Sequence, residues 1–258
     1  MSTICYFSGT GNNYHVASLI AGHEHSELVN MADFKDVSIH DDSIGIITPV
    51  YCGELPQIVR DFLKRVILRS DYIWALAVSG GTVGTALLSV DKLLRYNDLK
   101  LSWGGKMLMP DNSLIAKQSE DERLIALDAE IENAAFVISR IEKHIINKYP
   151  VERFLGHTSG IQWFFLRRFT GIDRKKADSE LCTKCGTCIR VCPLSNISFD
   201  EKGEIKFGKN CTECFACMHR CPQGALRAGH LKFTKDRQYV HPQAGTDIMF
   251  PEKKKESE

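Results

Sequence analysis

Residues 182–221 decide the fold of the C-terminal part of the chain, and they read Cys182-Thr-Lys-Cys185-Gly-Thr-Cys188-Ile-Arg-Val-Cys192-Pro193 and then Cys211-Thr-Glu-Cys214-Phe-Ala-Cys217-Met-His-Arg-Cys221-Pro222. The pattern C-x2-C-x2-C-x3-C-P thus occurs twice, with an offset of 29 residues between Cys192 and Cys221. Three cysteines at this spacing can bind three corners of a cubane iron–sulfur cluster, and the fourth, before the proline, ligates the other cluster. The pattern predicts two [4Fe-4S] clusters with these ligands: Cys182, Cys185, Cys188 and Cys221 for cluster one, and Cys192, Cys211, Cys214 and Cys217 for cluster two.

Zinc binding and disulfide formation fit the same cysteines less well. Structural zinc sites usually draw four ligands from separated pairs of cysteines, whereas here three cysteines fall within seven residues. Disulfide frameworks are typical of secreted chains, and the opening residues Met1-Ser-Thr-Ile-Cys-Tyr-Phe have no basic region before an apolar run. We therefore expect a reducing compartment and a cytoplasmic location. Residues 180–228 resemble the bacterial two-cluster ferredoxins.

The overall composition is that of an ordinary globular protein, with 43% hydrophobic and 25% charged residues in a chain of 258. No apolar run approaches the ~20 residues of a membrane span, so a membrane partner is not expected. Charge is uneven: residues 1–150 carry 14 Lys and Arg against 19 Asp and Glu, and residues 151–258 carry 19 against 13. The opposite net charges favour docking of the two halves. The alternative is that the uneven distribution of surface charge has no function. The basic residues are dispersed, so we expect no nucleic-acid binding.

The N-terminal segment predicts a strand, a loop and a helix in succession. The strand is the apolar run at residues 3–8, and apolar residues at helical spacing follow until Gly22. Between them lies a loop rich in hydroxyl groups and glycine, made of Ser8, Gly9, Thr10, Gly11, Asn12 and Asn13. A loop of this kind at a helix N-terminus presents N–H groups and the positive end of the helix dipole, which favours a phosphate. Neither common nucleotide-binding glycine motif is present, which disfavours a dinucleotide or a nucleoside triphosphate. The alternative to a phosphate site is a plain strand-to-helix turn.

Further strands are predicted at residues 43–51, 72–79 and 106–109, separated by helices. The helix that follows Pro56 has this predicted apolar face: Ile58, Val59, Phe62, Leu63, Val66 and Ile67. A capping box at residues 119–122 opens a long helix with apolar positions from Leu124 to Ile145. Alternating strands and helices predict an α/β fold with a parallel sheet covered by helices on both faces; the resemblance to flavodoxins described below implies a doubly wound sheet of five strands. The loops at 8–13, 50–54 and 79–85 all follow strands, so they share the edge where ligands bind in such sheets.

Residues 1–148 resemble a flavodoxin, on the basis of these three loops and their order. The resemblance implies that FMN binds with its phosphate at Ser8–Asn13 and with its ring between the two later loops. The implied ring-side residues are Pro49, Tyr51, Cys52, Gly53, Ser79, Gly80, Gly81, Thr82 and Gly84. Asn13 stands where flavodoxin phosphate loops usually have Thr or Ser. Tyr51 is the expected stacking residue because residues 79–85 contain no aromatic side chain.

Three regions complete the predicted organisation. Residues 149–180 form an aromatic and basic connecting segment, in which residues 163–169 either pack as a strut against the domains or lie at a membrane surface. Residues 181–229 form a small α+β two-cluster ferredoxin domain with a hairpin at 196–207. Residues 230–258 form a tail whose last stretch we expect to be disordered.

The whole chain is similar to fused flavodoxin–ferredoxin proteins of anaerobic bacteria and archaea, and this implies electron transfer between the clusters and FMN, with a separate redox protein as donor or acceptor. A second hypothesis is a flavin reductase of a small molecule, for which only Asp111 and Tyr51 are candidate proton donors; no catalytic residue is assigned. A third is a redox sensor that has lost FMN. The oligomeric state is not predicted.

Overall fold

The computed structural model describes residues 2–110, 122–139 and 158–250. Its N-terminal part contains these strands and helices: β1 Ser2–Tyr6, α1 Asn12–Glu24, β2 Glu27–Asn30, β3 Ser38–His40, β4 Ser43–Pro49, α2 Gln57–Arg65, β5 Ile67–Arg69, β6 Tyr72–Ser79, α3 Ala86–Arg95, β7 Trp103–Leu108 and α4 Glu122–Ser139. Five strands form one sheet in the order β2-β1-β4-β6-β7, and every neighbouring pair is parallel. This is the flavodoxin-like strand order, so the predicted fold class is confirmed.

Helices cover both faces of this sheet, and each face has its own apolar core. On one face α2 and α3 bury residues such as Phe62, Leu63 and Val90 against the sheet. On the other face α1 and α4 bury Ile20 and Ile131. The central strands β4 and β6 are buried on both sides, which explains why they read as continuous apolar runs in the sequence.

Several predicted boundaries are wrong. Helix α1 passes Gly22 and ends at Glu24, and β7 begins at Trp103 rather than at residue 106. Helix α2 ends at Arg65, before the predicted Val66 and Ile67. Ile67 instead starts β5, which pairs with the unpredicted β3; two consecutive β-branched residues favour this extended conformation. The predicted capping box and the helix beyond residue 139 lie outside the described residues.

The C-terminal part is small and mixes short strands with single helical turns. Its elements are α5 Ser159–Thr170, β8 Lys175–Ala177, α6 Thr187–Arg190, β9 Ile197–Phe199, β10 Ile205–Phe207, α7 Ala216–His219, β11 Leu226–Ala228, β12 Leu231–Lys232 and α8 Thr246–Met249. The predicted hairpin is present as the antiparallel pair β9–β10. Strand β11 pairs with β8 and β12 in a three-stranded sheet. A separate core beneath both motifs includes Ile172, Val191, Met218 and Phe233.

Two segments flank the C-terminal part in sequence, the connecting helix α5 and the tail. Phe164, Phe165 and Phe169 on α5 are exposed, whereas the side chain of Trp163 lies outside the described residues, so the strut stays a prediction. The helix meets the C-terminal part at its end, where Thr170 O accepts a hydrogen bond from His230 N at 3.2 Å. Residues 230–250 of the tail pack onto the protein, and residues 251–258, where disorder was expected, lie outside the described residues. No helix of the described ranges has both the length and the apolar character to cross a membrane.

Candidate cofactor sites

Each predicted quartet of cysteines surrounds its own cavity. Cys192, Cys211, Cys214 and Cys217 line a cavity of about 370 Å³ including its open mouth. Cys182, Cys185, Cys188 and Cys221 line a second one of about 320 Å³. Within the described ranges no three His, Cys, Asp or Glu side chains converge tightly enough to hold a single metal ion. The fold thus groups the eight cysteines as the spacing predicts, with Cys192 and Cys221 each crossing to the other motif.

The two motifs bend in the same way, which shows that they are a structural repeat. Three pairs of residues with left-handed backbone occupy equivalent positions, 29 residues apart: Lys184 and Glu213, Gly186 and Phe215, and Ser195 and Gly224, with φ between 48° and 75°. Backbone that alternates in this way forms a concave nest of N–H groups around an anion. A [4Fe-4S] cluster with four thiolates is such a group, so the loop geometry fits it.

Hydrogen bonds to sulfur repeat as well. The backbone N–H of Asn196 donates to Cys192 Sγ at 3.2 Å, and that of Ala225 donates to Cys221 Sγ at 3.4 Å, each four residues after its cysteine. Burial raises the pKa of the Cys214 thiol to about 12 and that of Cys188 to about 11. These thiols stay protonated near neutral pH without a nearby positive charge, and a bound metal centre would supply that charge.

The quartet that contains Cys211 has a buried ion pair beside it that the sequence analysis missed. Lys175 Nζ lies 2.6 Å from Glu213 Oε2, and their side chains are only 3% and 7% exposed. Lys175 Nζ also donates to Ile172 O at 3.1 Å and lies over the Phe215 ring. Burial lowers the pKa of Lys175, but the neighbouring Cys211 and Glu213 outweigh it and the net pKa is raised. The lysine is therefore charged beside Cys211.

The second motif rests on the carboxyl edge of the large sheet. A Cβ atom on residue 9 would lie 2.5 Å from the carbonyl oxygen of Cys214, so only glycine permits this approach. Ile58 N donates to Thr212 Oγ1 at 3.4 Å. Tyr51 has a pKa raised well above its usual value, first by burial and then by the charges of Cys214 and Cys211. The contact brings the quartet of Cys192, Cys211, Cys214 and Cys217 to the predicted flavin loops.

The predicted phosphate loop, Ser8–Asn13, is buried. Ser8 Oγ accepts from Gly11 N at 3.0 Å, and Gly11 has a φ of 111°, which favours glycine. Asn13 is 3% exposed, and its Nδ2 has no hydrogen-bond partner among the described residues. An unpaired buried donor is costly, and an anion bound at the start of α1 would satisfy it. The loop therefore fits a phosphate.

The other predicted flavin loops pack against each other. Gly84 lies directly against Gly53, leaving no room for a Cβ atom, and Thr85 N donates to Gly53 O at 2.8 Å. Glu54 fixes this junction by accepting bonds from the hydroxyls of Thr85 at 3.0 Å and Ser89 at 2.9 Å. The remaining predicted residues lie on either side of the junction: Pro49, Tyr51 and Cys52 partly buried, Ser79 partly buried, and Gly80, Gly81 and Thr82 exposed. Asp111 lies outside the described residues.

A second feature that the sequence analysis missed is the segment Gln238–Gly245, here called the strap. Its Gln238 Nε2 donates to the carbonyls of Met218 at 2.8 Å and Cys221 at 2.7 Å. Two further bonds reach the phosphate loop: Tyr239 Oη donates to Asn12 Oδ1 at 2.6 Å, and His241 N donates to Thr10 O at 2.9 Å. The strap therefore joins the second cysteine motif to the phosphate loop and covers the latter.

Comparison with known protein families gives a match at residues 174–227 to the 4Fe-4S dicluster domain. Together with the strand order of the large sheet, this match decides the architecture. The chain is a flavodoxin-like domain fused to a 4Fe-4S dicluster domain. The dicluster domain contains both cysteine quartets, and the resemblance that the motifs indicated is confirmed.

The relatives cover parts of the chain. An uncharacterised protein of Methanocaldococcus jannaschii is 41% identical over 39 residues, which are 15% of this chain and only 18% of that protein. Among solved structures, a WrbA-like flavodoxin from Agrobacterium tumefaciens (15% identity, TM-score 0.34) covers 55% of this chain and 98% of its own. A flavoprotein in complex with FMN from Lactobacillus acidophilus (18% identity, TM-score 0.30) covers 41% and 91%.

Proposed function

We propose that the chain transfers single electrons between two [4Fe-4S] clusters and FMN, with a separate redox protein as donor or acceptor. The observation that carries this proposal is the contact of the Cys214 carbonyl with Gly9, beside the partly buried Tyr51. Clusters exchange one electron and FMN exchanges one or two, so together they can connect one-electron and two-electron partners. The chain itself contributes distance, burial and local charge.

In this proposal the eight cysteines hold the clusters, Ser8–Asn13 holds the phosphate, and the loops that end β4 and β6 flank the ring. The FMN-binding domain is residues 1–148 and the ferredoxin domain is residues 181–229. Cluster two is the inner cluster, because its Cys214 packs against the core of the sheet. Cluster one is the outer cluster, because Cys185 is exposed. An external redox protein therefore exchanges electrons at the Cys185 side.

One observation favours a second candidate function. The strap covers the loop that would take the phosphate, as expected if the flavodoxin-like domain only supports the dicluster domain and binds no flavin. The protein is then a cluster-based carrier or sensor. Flavin content of the purified protein separates the two candidates.

The kinetic test of the first candidate is the concentration dependence of flavin reduction. The oxidised protein is mixed anaerobically with a limiting one-electron donor that reduces the clusters, and flavin bleaching is followed over a tenfold range of protein concentration. A rate constant independent of concentration supports transfer within one chain. A rate constant proportional to concentration contradicts it, because electrons then pass between molecules. A matched variant, Cys185→Ser, damages the outer cluster and should slow bleaching without removing flavin.

A further inference from the structure

The strap carries a second unpaired donor to the phosphate loop. His241 is 3% exposed, and its Nε2 has no hydrogen-bond partner among the described residues. Its backbone N–H is bound to Thr10 O, and its Cβ atom closely approaches Gly11, where any side chain on residue 11 would clash. Two buried donors without partners, His241 Nε2 and Asn13 Nδ2, thus belong to one small region at the N-terminus of α1, a helix of 13 residues.

The tautomer of His241 makes Nε2 a donor. Its Nδ1 accepts a hydrogen bond from Gln243 N at 3.3 Å, so the proton of the neutral ring is on Nε2. Burial lowers the pKa of His241 to about 4, with the facing His15 adding to this effect and Asp128 opposing it. The ring is stacked on His15 with centroids 4.1 Å apart, and His15 Nε2 is in turn 2.7 Å from Asp128 Oδ1. The imidazole is therefore neutral and held in one orientation.

We propose that His241 is a phosphate-binding residue of the FMN site, supplied by the strap, and that the strap closes over the phosphate and retains the cofactor. The inference rests on the proposed FMN site and adds to it a residue 228 positions from Asn13 in sequence. The ligand group is the phosphate monoester. The donors to this phosphate are His241 Nε2–H, Asn13 Nδ2–H and the first-turn N–H groups of α1. Buried in this way, the phosphate dissociates only when the strap opens.

The test compares FMN with riboflavin, which lacks the phosphate. Anaerobically purified protein with its clusters intact is stripped of flavin, and binding of each flavin is measured by fluorescence quenching. In His241→Leu, which keeps bulk and removes the donor, FMN affinity should fall about tenfold to a hundredfold, the range of one hydrogen bond to a charged group. Riboflavin affinity should stay within about twofold, because a neutral ligand makes no use of this donor. His241→Gln, which restores an N–H donor, should recover most of the FMN affinity.

The control is Gln243→Ala, which changes an exposed side chain of the strap and keeps the backbone N–H that binds His241 Nδ1. Its ratio of FMN to riboflavin affinity should equal that of the wild type. Inorganic phosphate should compete with FMN in the wild type and compete less well in His241→Leu. An unchanged FMN affinity in His241→Leu, or an equal loss for both flavins, overturns the inference and leaves the FMN site standing. A wild-type protein that binds neither flavin overturns both.

Discussion

The buried pair Lys175–Glu213 should control the reduction potential of cluster two, and the two single variants should shift that potential in opposite directions. Glu213→Gln removes a negative charge and leaves the lysine, so the potential should rise. Lys175→Met removes the positive charge and leaves the carboxylate, so the potential should fall. Both side chains are almost fully buried, so solvent screens them little.

The size of the shift follows from the geometry of the pair. Lys175 contacts both Glu213 and Cys211. The charge that each variant removes is therefore separated from the cluster by about the length of one side chain. Two unit charges about 8 Å apart at an effective dielectric constant of about 20 interact by about 2 kcal/mol. For one electron this corresponds to about 90 mV, taking about 59 mV per tenfold change in equilibrium constant. This is an upper figure for Lys175→Met, because a carboxyl left unpaired in the interior tends to protonate.

Redox titration of the anaerobic protein, monitored by electron paramagnetic resonance, measures both clusters, and cluster one is the internal control. A matched surface pair, Lys184 Nζ and Glu204 Oε1, lies 2.7 Å apart beside the outer motif with both side chains nearly half exposed. Because solvent screens that pair, Glu204→Gln should move the potential of cluster one by no more than about 20 mV. Shifts of the same sign in the two buried variants, or a larger shift at cluster one, would refute the reasoning.

Three further outcomes are expected. Gly9→Ala should destabilise the protein by about 1–3 kcal/mol through overpacking against the Cys214 backbone. By contrast, Gly22→Ala, in open space on helix α1, should stabilise it by up to about 1 kcal/mol. Urea unfolding measures the free energy of unfolding of both variants, and equal effects of the two substitutions would contradict the prediction. Burial depresses the pKa of His241 to about 4, so the neutral imidazole is favoured by folding. Its contribution to the free energy of unfolding is complete above about pH 6.5 and is lost as pH falls towards 4. Flavin-free wild type should therefore lose about 2 kcal/mol more than His241→Gln between pH 7 and pH 5, and parallel losses in both proteins would rule this out. Replacing Phe164 and Phe165 by Ser should leave the free energy of unfolding within about 0.5 kcal/mol of the wild-type value, because both rings are exposed. A loss above about 2 kcal/mol in urea unfolding would mean that the rings are buried in solution.

What the sequence could predict depends on whether the signal is local. The cysteine quartets were predictable because iron–sulfur chemistry requires a fixed spacing, and β4 and β6 were predictable because both faces of each strand are buried. Strand β2 has only Leu28 and Val29 as consecutive apolar residues, which is too short a pattern to delimit a strand.

The features that were missed depend on long-range contacts. The Tyr239–Asn12 bond joins residues 227 positions apart, and the residue types of the strap do not indicate which part of the chain it contacts. Lys175 and Glu213 are separated by 38 residues and read as ordinary surface charges, because burial of an ion pair leaves no periodic pattern. The packed Gly53 and Gly84 were assigned to the flavin, yet their immediate contact is with each other, since a glycine in a loop has the same signature for ligand approach and for backbone packing.

The most direct test of the central claim is the iron and FMN content per chain of protein purified without oxygen, with an optical spectrum before and after dithionite. The account predicts about eight irons and one FMN per chain, with both the cluster and the flavin absorption bleached on reduction. About eight irons without flavin would contradict it: Ser8–Asn13 would then be a turn closed by the strap, and the flavodoxin-like domain a support for the clusters.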